Sequence, residues 1–349
     1  MAGETGAGTS GKICCGLTAT GCYAALLAGL AVLVVLLFAA SLCIGPVTIP
    51  AGVTLPALFA SGNDPYAVIL QEIRLPRAIL GVLVGASLGL SGAALQGLLR
   101  NPLAEPALIG TSSSAALGAV IALYYGFATL APLALPVFAV AGAVASILVL
   151  FALTGKSPGV LGIILAGVAI TSLTNALISI AVNLSPDPHS ALEIVFWMMG
   201  SLSDRSMNHV LLALPFILVG WAMLIGSGRA LDALTLGEET AASLGISLSG
   251  LRTRLIVGTA LAVGAGVAVA GSIGFIGLVV PHLLRPLVGY RPSRVLLASG
   301  LGGAVLLLAA DIGVRLIPSP TEFKLGVLTS LIGAPFFLAL VLKTRHRAV

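Results

Sequence analysis

The chain is poor in charge. Only 8% of its 349 residues are Asp, Glu, Lys or Arg, against about 25% in a soluble globular domain. Its surface is therefore solvated mainly by lipid. Cysteine is scarce and confined to the first 43 residues, at Cys14, Cys15, Cys22 and Cys43. No Cys-x-x-Cys pair and no histidine cluster accompanies them, and metal sites need closely set Cys and His ligands. They read as unpaired thiols in or near the first helix. His189, His209, His282 and His346 are scattered, and no pair has the spacing of a metal or haem-iron site. The Walker A run Gly-x-x-x-x-Gly-Lys-Ser/Thr is missing, as are a nucleophile elbow, a zinc-protease motif and a nucleotide fingerprint. The chain is therefore expected to cradle no ATP and to hold no metal or cofactor.

What is present is apolar. Hydrophobic residues make up 58% of the chain, and the mean hydropathy is +1.14. The 43 glycines suit close helix–helix approach, where no hydrophobic effect separates helix from lipid. Apolar runs of spanning length, about 20 residues, fall near 24–44, 75–99, 107–125, 132–153, 159–182, 208–227, 252–271, 273–289, 295–316 and 325–342. The expected fold is one all-α polytopic membrane domain of ten transmembrane helices over residues 24–343. Tails 1–23 and 344–349 flank it. The run near Ala24 is too long for a cleaved signal and reads as a first span. The weakest boundary lies within 252–289, where Gly271 and Gly274 suggest a turn and Pro281 a kink. Merging that run gives nine spans.

Charge sidedness favours ten. Of the 17 Lys and Arg residues, Arg74, Arg77, Arg205, Arg315 and Lys324 fall outside and the other twelve inside. That is the positive-inside bias, with both termini cytoplasmic. It accounts for the net charge of +5 better than nucleic-acid binding does. Two regions are not spans. Residues 183–206 hold a short apolar piece between polar flanks and read as an interfacial or re-entrant helix on the outer side. Residues 229–251 form the longest charged inner loop. Within it, Gly237-Glu-Glu-Thr-Ala-Ala-Ser-Leu-Gly245 reads as a helix with acids in its first turn and a glycine stop. Gly85, Gly92, Pro102 and Gly110 repeat the spacing of Gly264, Gly271, Pro281 and Gly289. An inverted repeat would give this pattern, and so would chance in a glycine-rich chain.

Several constellations admit two readings. Arg74 and Arg77 share a helix face, with Pro76 suited to a first turn, and Arg315 ends the ninth span on the same side. They are either a docking site for acidic side chains of a soluble partner or snorkelling anchors. Glu238 and Glu239 sit on either a coupling helix seated in a cytosolic partner or a solvated loop helix. Asp311 is the clearest carboxylate within a span, and carboxylates there are functional by default. A local pairing with Arg315, four residues on, is preferred to a proton relay. Gln96, Asn101, Thr171, Ser172, Thr174 and Asn175 either bond between helices or line a pore.

The order of these residues resembles a known family. Its specific pieces are Arg74-Leu-Pro-Arg77, Gly92 … Gln96 … Arg100-Asn-Pro-Leu-Ala-Glu-Pro106, Phe196-Trp-Met-Met-Gly200 and Gly237-Glu238 … Gly245. Further on come Gly274-Phe-Ile-Gly-Leu-Val-Val-Pro-His282 … Arg285, Ala310-Asp311 … Arg315 and Gly333-Ala-Pro-Phe336. Over about residues 45–343 the chain is similar to the ABC-importer permeases for vitamin B12, iron-siderophores and haem. The resemblance implies a B12-importer-like (type II) permease in a bacterial inner membrane. It implies a homodimer, two cytosolic ATPase subunits that hold ATP and Mg, and a periplasmic binding protein. It gives Arg74, Arg77 and Arg315 the docking role. It gives Gly237, Glu238, Glu239, Ala241 and Gly245 the contact with the ATPase. Asn101 and Leu103 match one inner gate loop. Gly159 and Val160 fall at the other, where the small polar residues of the B12 permeases are missing. Thr171 and Asn175 are expected along the pathway. Leu184-Ser-Pro-Asp-Pro-His189 and Lys324-Leu-Gly-Val-Leu-Thr329 look closest to the haem branch, with ferric-siderophore and B12 import as alternatives.

Overall fold

The computed structural model describes residues 19–47, 49, 51–59, 64–131, 133–155, 159–185, 188–317 and 323–345. Lys12, Cys14, Cys15, Lys156, Asp187, Glu322, His346 and Arg347 lie outside these residues, with most of the two expected tails.

Every regular element among the described residues is helical. The first is α1 (Ala19–Cys43), followed by the short α2 (Ala51–Phe59) and α3 (Pro65–Val68). Asp64 starts α3 by accepting from the Tyr66 N–H, with Pro65 in the first turn, a favourable N-terminal pairing. A π-helical turn, Ile69–Arg74, joins α3 to α4 (Leu75–Leu98). Together they make one run of 34 residues, Pro65–Leu98, longer than a bilayer needs. Then come α5 (Thr111–Tyr124), α6 (Phe127–Leu130), α7 (Ala134–Thr154), α8 (Val160–Asn183), α9 (Pro188–Met198) and α10 (Met207–Ile225). The remainder are α11 (Gly228–Leu234), α12 (Glu238–Ser243), α13 (Leu248–Ala270), α14 (Ile276–Leu284), α15 (Pro292–Leu316) and α16 (Leu325–Arg345).

Seven of these helical runs are long and apolar enough to cross a membrane: Gly21–Cys43, Pro65–Leu98, Ala134–Thr154, Val160–Asn183, Met207–Ile225, Leu248–Ala270 and Pro292–Leu316. Thr111–Tyr124, Ile276–Val288 and Leu325–Leu340 are shorter apolar helices. The run 252–289 is divided, because Gly271 at φ +70° and Phe275 at φ +67° turn the chain out of α13 before α14 begins. The expected helix over 107–125 starts late for a related reason. Residues 99–105 are irregular, Pro106–Ile109 forms only a 3-10 turn, and Gly110 at φ +77° resets the chain before α5. Both short helices thus follow an interrupted stretch. Irregular backbone at such depth is tolerated only inside protein or along a cavity.

Helices α4, α13 and α15 are buried along most of their length, while α1, α7, α8 and α10 are buried over a third or less of theirs. The central crossing is set by small residues. A Cβ built on Gly85 would stand 2.5 Å from the Gly303 carbonyl oxygen, and one on Gly89 would stand 1.9 Å from that of Ser299. The two backbones are therefore in direct contact, which only glycine permits. Gly118 of α5 meets the Phe138 carbonyl of α7 in the same way, at 2.1 Å. Around the crossing, Leu80, Val84 and Leu88 of α4 pack with Val263 and Val267 of α13 and Leu307 of α15.

The contact yields a contrast. Gly89→Ala forces the α4 and α15 backbones apart and should cost about 1–3 kcal/mol, the range for overpacking. Gly29 on α1 has nothing within 4 Å of a built Cβ, so Gly29→Ala should leave stability unchanged or raise it by up to ~1 kcal/mol through helix propensity. Thermal unfolding of the two variants in detergent measures the difference, and equal midpoints would contradict the packing argument.

Candidate functional site

A helix leaves its last carbonyls without intrahelical partners, and at the end of α1 two arginines take them. Arg74, only 4% exposed, donates from Nη1 to the Leu42 and Cys43 carbonyls at 2.7 and 2.8 Å, and from Nη2 to that of Val47. Arg315 donates from Nη1 to the Ser41 and Ile44 carbonyls at 2.8 and 3.0 Å, and from Nη2 to Ser41 Oγ at 2.8 Å. Asp311, 1% exposed, accepts from Arg315 Nη2 and from Arg77 Nη2 and Nε at 2.8 and 3.0 Å. The three arginines expected to dock a partner thus come together at one end of the bundle. Arg74 and Arg315 are engaged inside it. Arg77, with 12% of its side chain exposed, is the most accessible. The pairing of Asp311 with Arg315, expected from their spacing, is present, and the bond from Arg77 joins α4 to α15.

The short region expected on the outer side contains α9, whose exit clamps its neighbours. Ser201 N donates to the Ala270 carbonyl at 2.8 Å, and Leu325 N to that of Gly200 at 3.0 Å. Lys324 Nζ lies 5.8 Å from the centre of the Phe196 ring. In the loop before α10, burial lowers the pKa of Arg205, opposed by the charge of Asp204. His209 accepts from the Ser206 N–H at 3.2 Å, and the His282 ring stands edge-on to Phe336.

The opposite end gathers the segment expected to contact an ATPase. Gly237, at φ +117°, precedes α12, and Gly245, at φ +82°, ends it. Gly245 N bonds back to Ala242 O at 2.9 Å and Ile246 N to Ala241 O at 3.1 Å, the paired bonds of a Schellman stop. Glu238 pairs with Arg252 at 2.8 Å. Glu239 is exposed and Ala241 is buried. Asn101 Oδ1 accepts from the Leu103 N–H at 2.9 Å, shaping the turn after α4. Gly159 lies just before α8 and has open space around it, and Val160 begins that helix half-buried. Thr171 accepts from Ser113 Oγ of α5 at 3.5 Å. Asn175 is exposed, so these two polar residues of α8 do not share one environment.

Three further side chains hold this end together, and Gln96, expected either to bond between helices or to line a pore, bonds between them. Gln96 Nε2 lies 3.3 Å from the carbonyls of Ala104, Gly277 and Leu278, and its Oε1 accepts from Arg285. Glu105 Oε1 accepts from the Phe275 N–H at 2.7 Å, which sets a carboxylate at the start of α14, where the helix dipole favours it. Asp232 accepts from Ser293 N and Oγ at 2.8 and 2.7 Å and from Arg291 at 3.1 Å, capping α15. The Arg100–Pro106 run had singled out Glu105 as part of a motif. Nothing local marks Asp232, whose partners lie 59 and 61 residues away.

Comparison with known proteins gives concordant matches. The profile of the FecCD transport family matches residues 33–343. The chain is 43% identical over 82% of its length, and 82% of the relative's, to the uncharacterized ABC transporter permease protein YvrB of Bacillus subtilis (strain 168). It is 40% identical over 82% of its length to the hemin transport system permease protein HmuU of Yersinia pestis, covering 87% of that protein. It is also 40% identical over 91% of its length to the vitamin B12 import system permease protein BtuC of Salmonella paratyphi A, covering 95%. A solved inward-facing structure, assigned as a metal-chelate type ABC transporter, superposes with a TM-score of 0.81 at 33% identity. It covers 92% of this chain and 99% of its own.

Asp311→Asn leaves two largely buried guanidiniums without their counter-charge, and should cost about 3–5 kcal/mol. Asp232→Asn removes an ion pair with the more exposed Arg291 (side chains 60% and 20% exposed) and should cost about 1 kcal/mol. Unfolding of both variants in the same detergent orders them, and a loss at Asp232 equal to that at Asp311 would contradict the assignment.

Proposed function

Because the chain belongs to the FecCD transport family, we propose that it is the permease of an ATP-driven importer that moves a metal chelate across a bacterial inner membrane. In this reading ten helices cross the bilayer, with both termini cytoplasmic and the α11–α12 region facing the cytosol. Two copies form the pathway. Two ATPase subunits hold ATP and Mg, and a periplasmic binding protein delivers the cargo. The observation that carries the reading is the coincidence of close relatives that are permeases with distinct polar sites at the two ends of the helix bundle. A secondary transporter would call for coupling carboxylates at the midplane. Asp311 is committed to Arg77 and Arg315, which argues against that role.

Haem is the proposed cargo, from the likeness to the haem branch. Vitamin B12 is the second reading, because a B12 permease matches at the same identity over more of the chain; ferric siderophores stand as a third. Docking is proposed at Arg74, Arg77 and Arg315. Acidic side chains arriving there compete with Asp311 and with the α1 carbonyls for the same guanidinium groups. That competition makes docking reversible and sensitive to salt. Coupling is proposed for Gly237, Glu238, Glu239, Ala241 and Gly245, because a short helix pinned at both ends passes motion on as a rigid body. Asn101, Leu103, Gly159 and Val160 are proposed at the inner gate, and Thr171 and Asn175 along the pathway.

The test is assembly and turnover. The permease is co-purified with its ATPase, and ATP hydrolysis is measured with binding protein loaded in turn with haem, B12 or a ferric siderophore. Haem-loaded protein is expected to stimulate most, and stimulation by B12 alone would replace the first cargo by the second. Gly245→Pro denies the φ of +82° that the stop requires, and should abolish stimulation or assembly. Full assembly and stimulation in that variant would reduce the segment to a linker. Arg77→Glu should raise the binding-protein concentration for half-stimulation by about tenfold, a loss of ~1.4 kcal/mol. An unchanged value would remove docking from that end.

A further inference from the structure

A second polar feature lies at the α12 end of the bundle, beside the loop of Asn101 and Leu103. Where α4 ends and α15 begins, a cavity of about 290 Å3 opens. Its polar lining comes from Gln96, Arg100, Thr235, Arg285 and Tyr290, and Pro292 of the first turn of α15 completes that side. No carboxylate lines it. Asp232, which lines the adjoining hollow, is engaged by Arg291, Ser293 N and Ser293 Oγ.

Two cations therefore share one cavity without a counter-charge. Arg285 is bonded only to the neutral Gln96 Oε1, and Arg100 makes no ion pair among the described residues. Arg100 is exposed and Arg285 half-buried, and a partly buried guanidinium lacking an anion is costly. The backbone adds an independent sign. Four non-glycine residues among those described have a left-handed φ, and two of them, Arg100 at +47° and Tyr290 at +59°, line this cavity. Glycine or asparagine would adopt that conformation at lower cost, so these larger side chains stand here at a conformational cost.

We propose that this cavity is a binding site for a phosphate group, held by the guanidinium groups of Arg100 and Arg285, with the Tyr290 hydroxyl as a further donor; the Thr235 hydroxyl is given to the Asp232 carbonyl. Guanidinium matches phosphate oxygens in a planar, two-point geometry. Basic pockets between membrane helices take anionic headgroups in this way. The phosphate belongs either to an anionic phospholipid or to a free phosphate in solution. The inference does not depend on import, so it stands or falls separately from the function proposed above.

The purified full-length chain in detergent is tested with two probes: phosphatidylglycerol against phosphatidylcholine in native mass spectrometry, and inorganic phosphate in thermal-shift titration. The variants are Arg100→Gln with Arg285→Gln, and Thr235→Glu, which places an internal carboxylate in the cavity from an exposed loop position and leaves the core intact. Arg254→Gln, an exposed arginine of α13, is the control. The wild type and the control are expected to retain phosphatidylglycerol over phosphatidylcholine. Both cavity variants should reduce that retention by about tenfold, equivalent to ~1.4 kcal/mol. A phosphate-dependent rise in the unfolding midpoint, lost in both variants without any lipid preference, would assign the site to free phosphate instead. If neither probe separates the cavity variants from wild type and control, the site does not exist.

Discussion

The crossing of α4 and α15 is the constraint on which the rest of the structure depends. In lipid there is no hydrophobic effect to press helices together, so adhesion comes from contact at short range. Gly85, Gly89 and Gly303 bring the two backbones to van der Waals contact. This pairing fixes both ends at once. At one end it brings Arg77 of α4 against Asp311 of α15. At the other, Gln96 of α4 bonds Arg285 of the turn after α14, and Asp232 of α11 caps α15. The sites proposed for docking and for coupling are joined by these two helices.

Charge is used sparingly and differently at the two ends. At the Asp311 end, cations outnumber anions, and most of the excess is absorbed by the carbonyls that α1 cannot satisfy itself. A guanidinium with several donors can saturate such a helix terminus and still face an anion. At the other end Glu105 caps α14 and Asp232 caps α15, while Glu238 pairs with Arg252. Both interrupted stretches, 99–110 and 271–275, meet where Glu105 accepts from Phe275. That contact satisfies backbone which lipid could not solvate.

Much of this was legible in the residues. Apolar length located the helices, and Gly237 and Gly245 marked the bounds of α12 because only glycine suits their φ values. The spacing of Asp311 and Arg315 gave their pairing. The late start of α5 was hidden, since residues 107–125 read as one apolar run and the reset at Gly110 leaves no gap in hydropathy. The engagement of Arg74 and Arg315 with the end of α1 was hidden too. It depends on carbonyls 27–32 and 271–274 residues away, and every residue has a carbonyl, so no residue type announces the partner. The same holds for Arg77 with Asp311, 234 residues apart.

The central claim is that this chain is the passage of an ATP-driven importer. The most direct measurement is uptake of radiolabelled chelate into proteoliposomes that hold the permease and its ATPase, with ATP enclosed and loaded binding protein outside. The account predicts accumulation above the external free concentration, which stops when ATP or binding protein is withheld. Equilibration without ATP, or accumulation driven by an ion gradient alone, would contradict it.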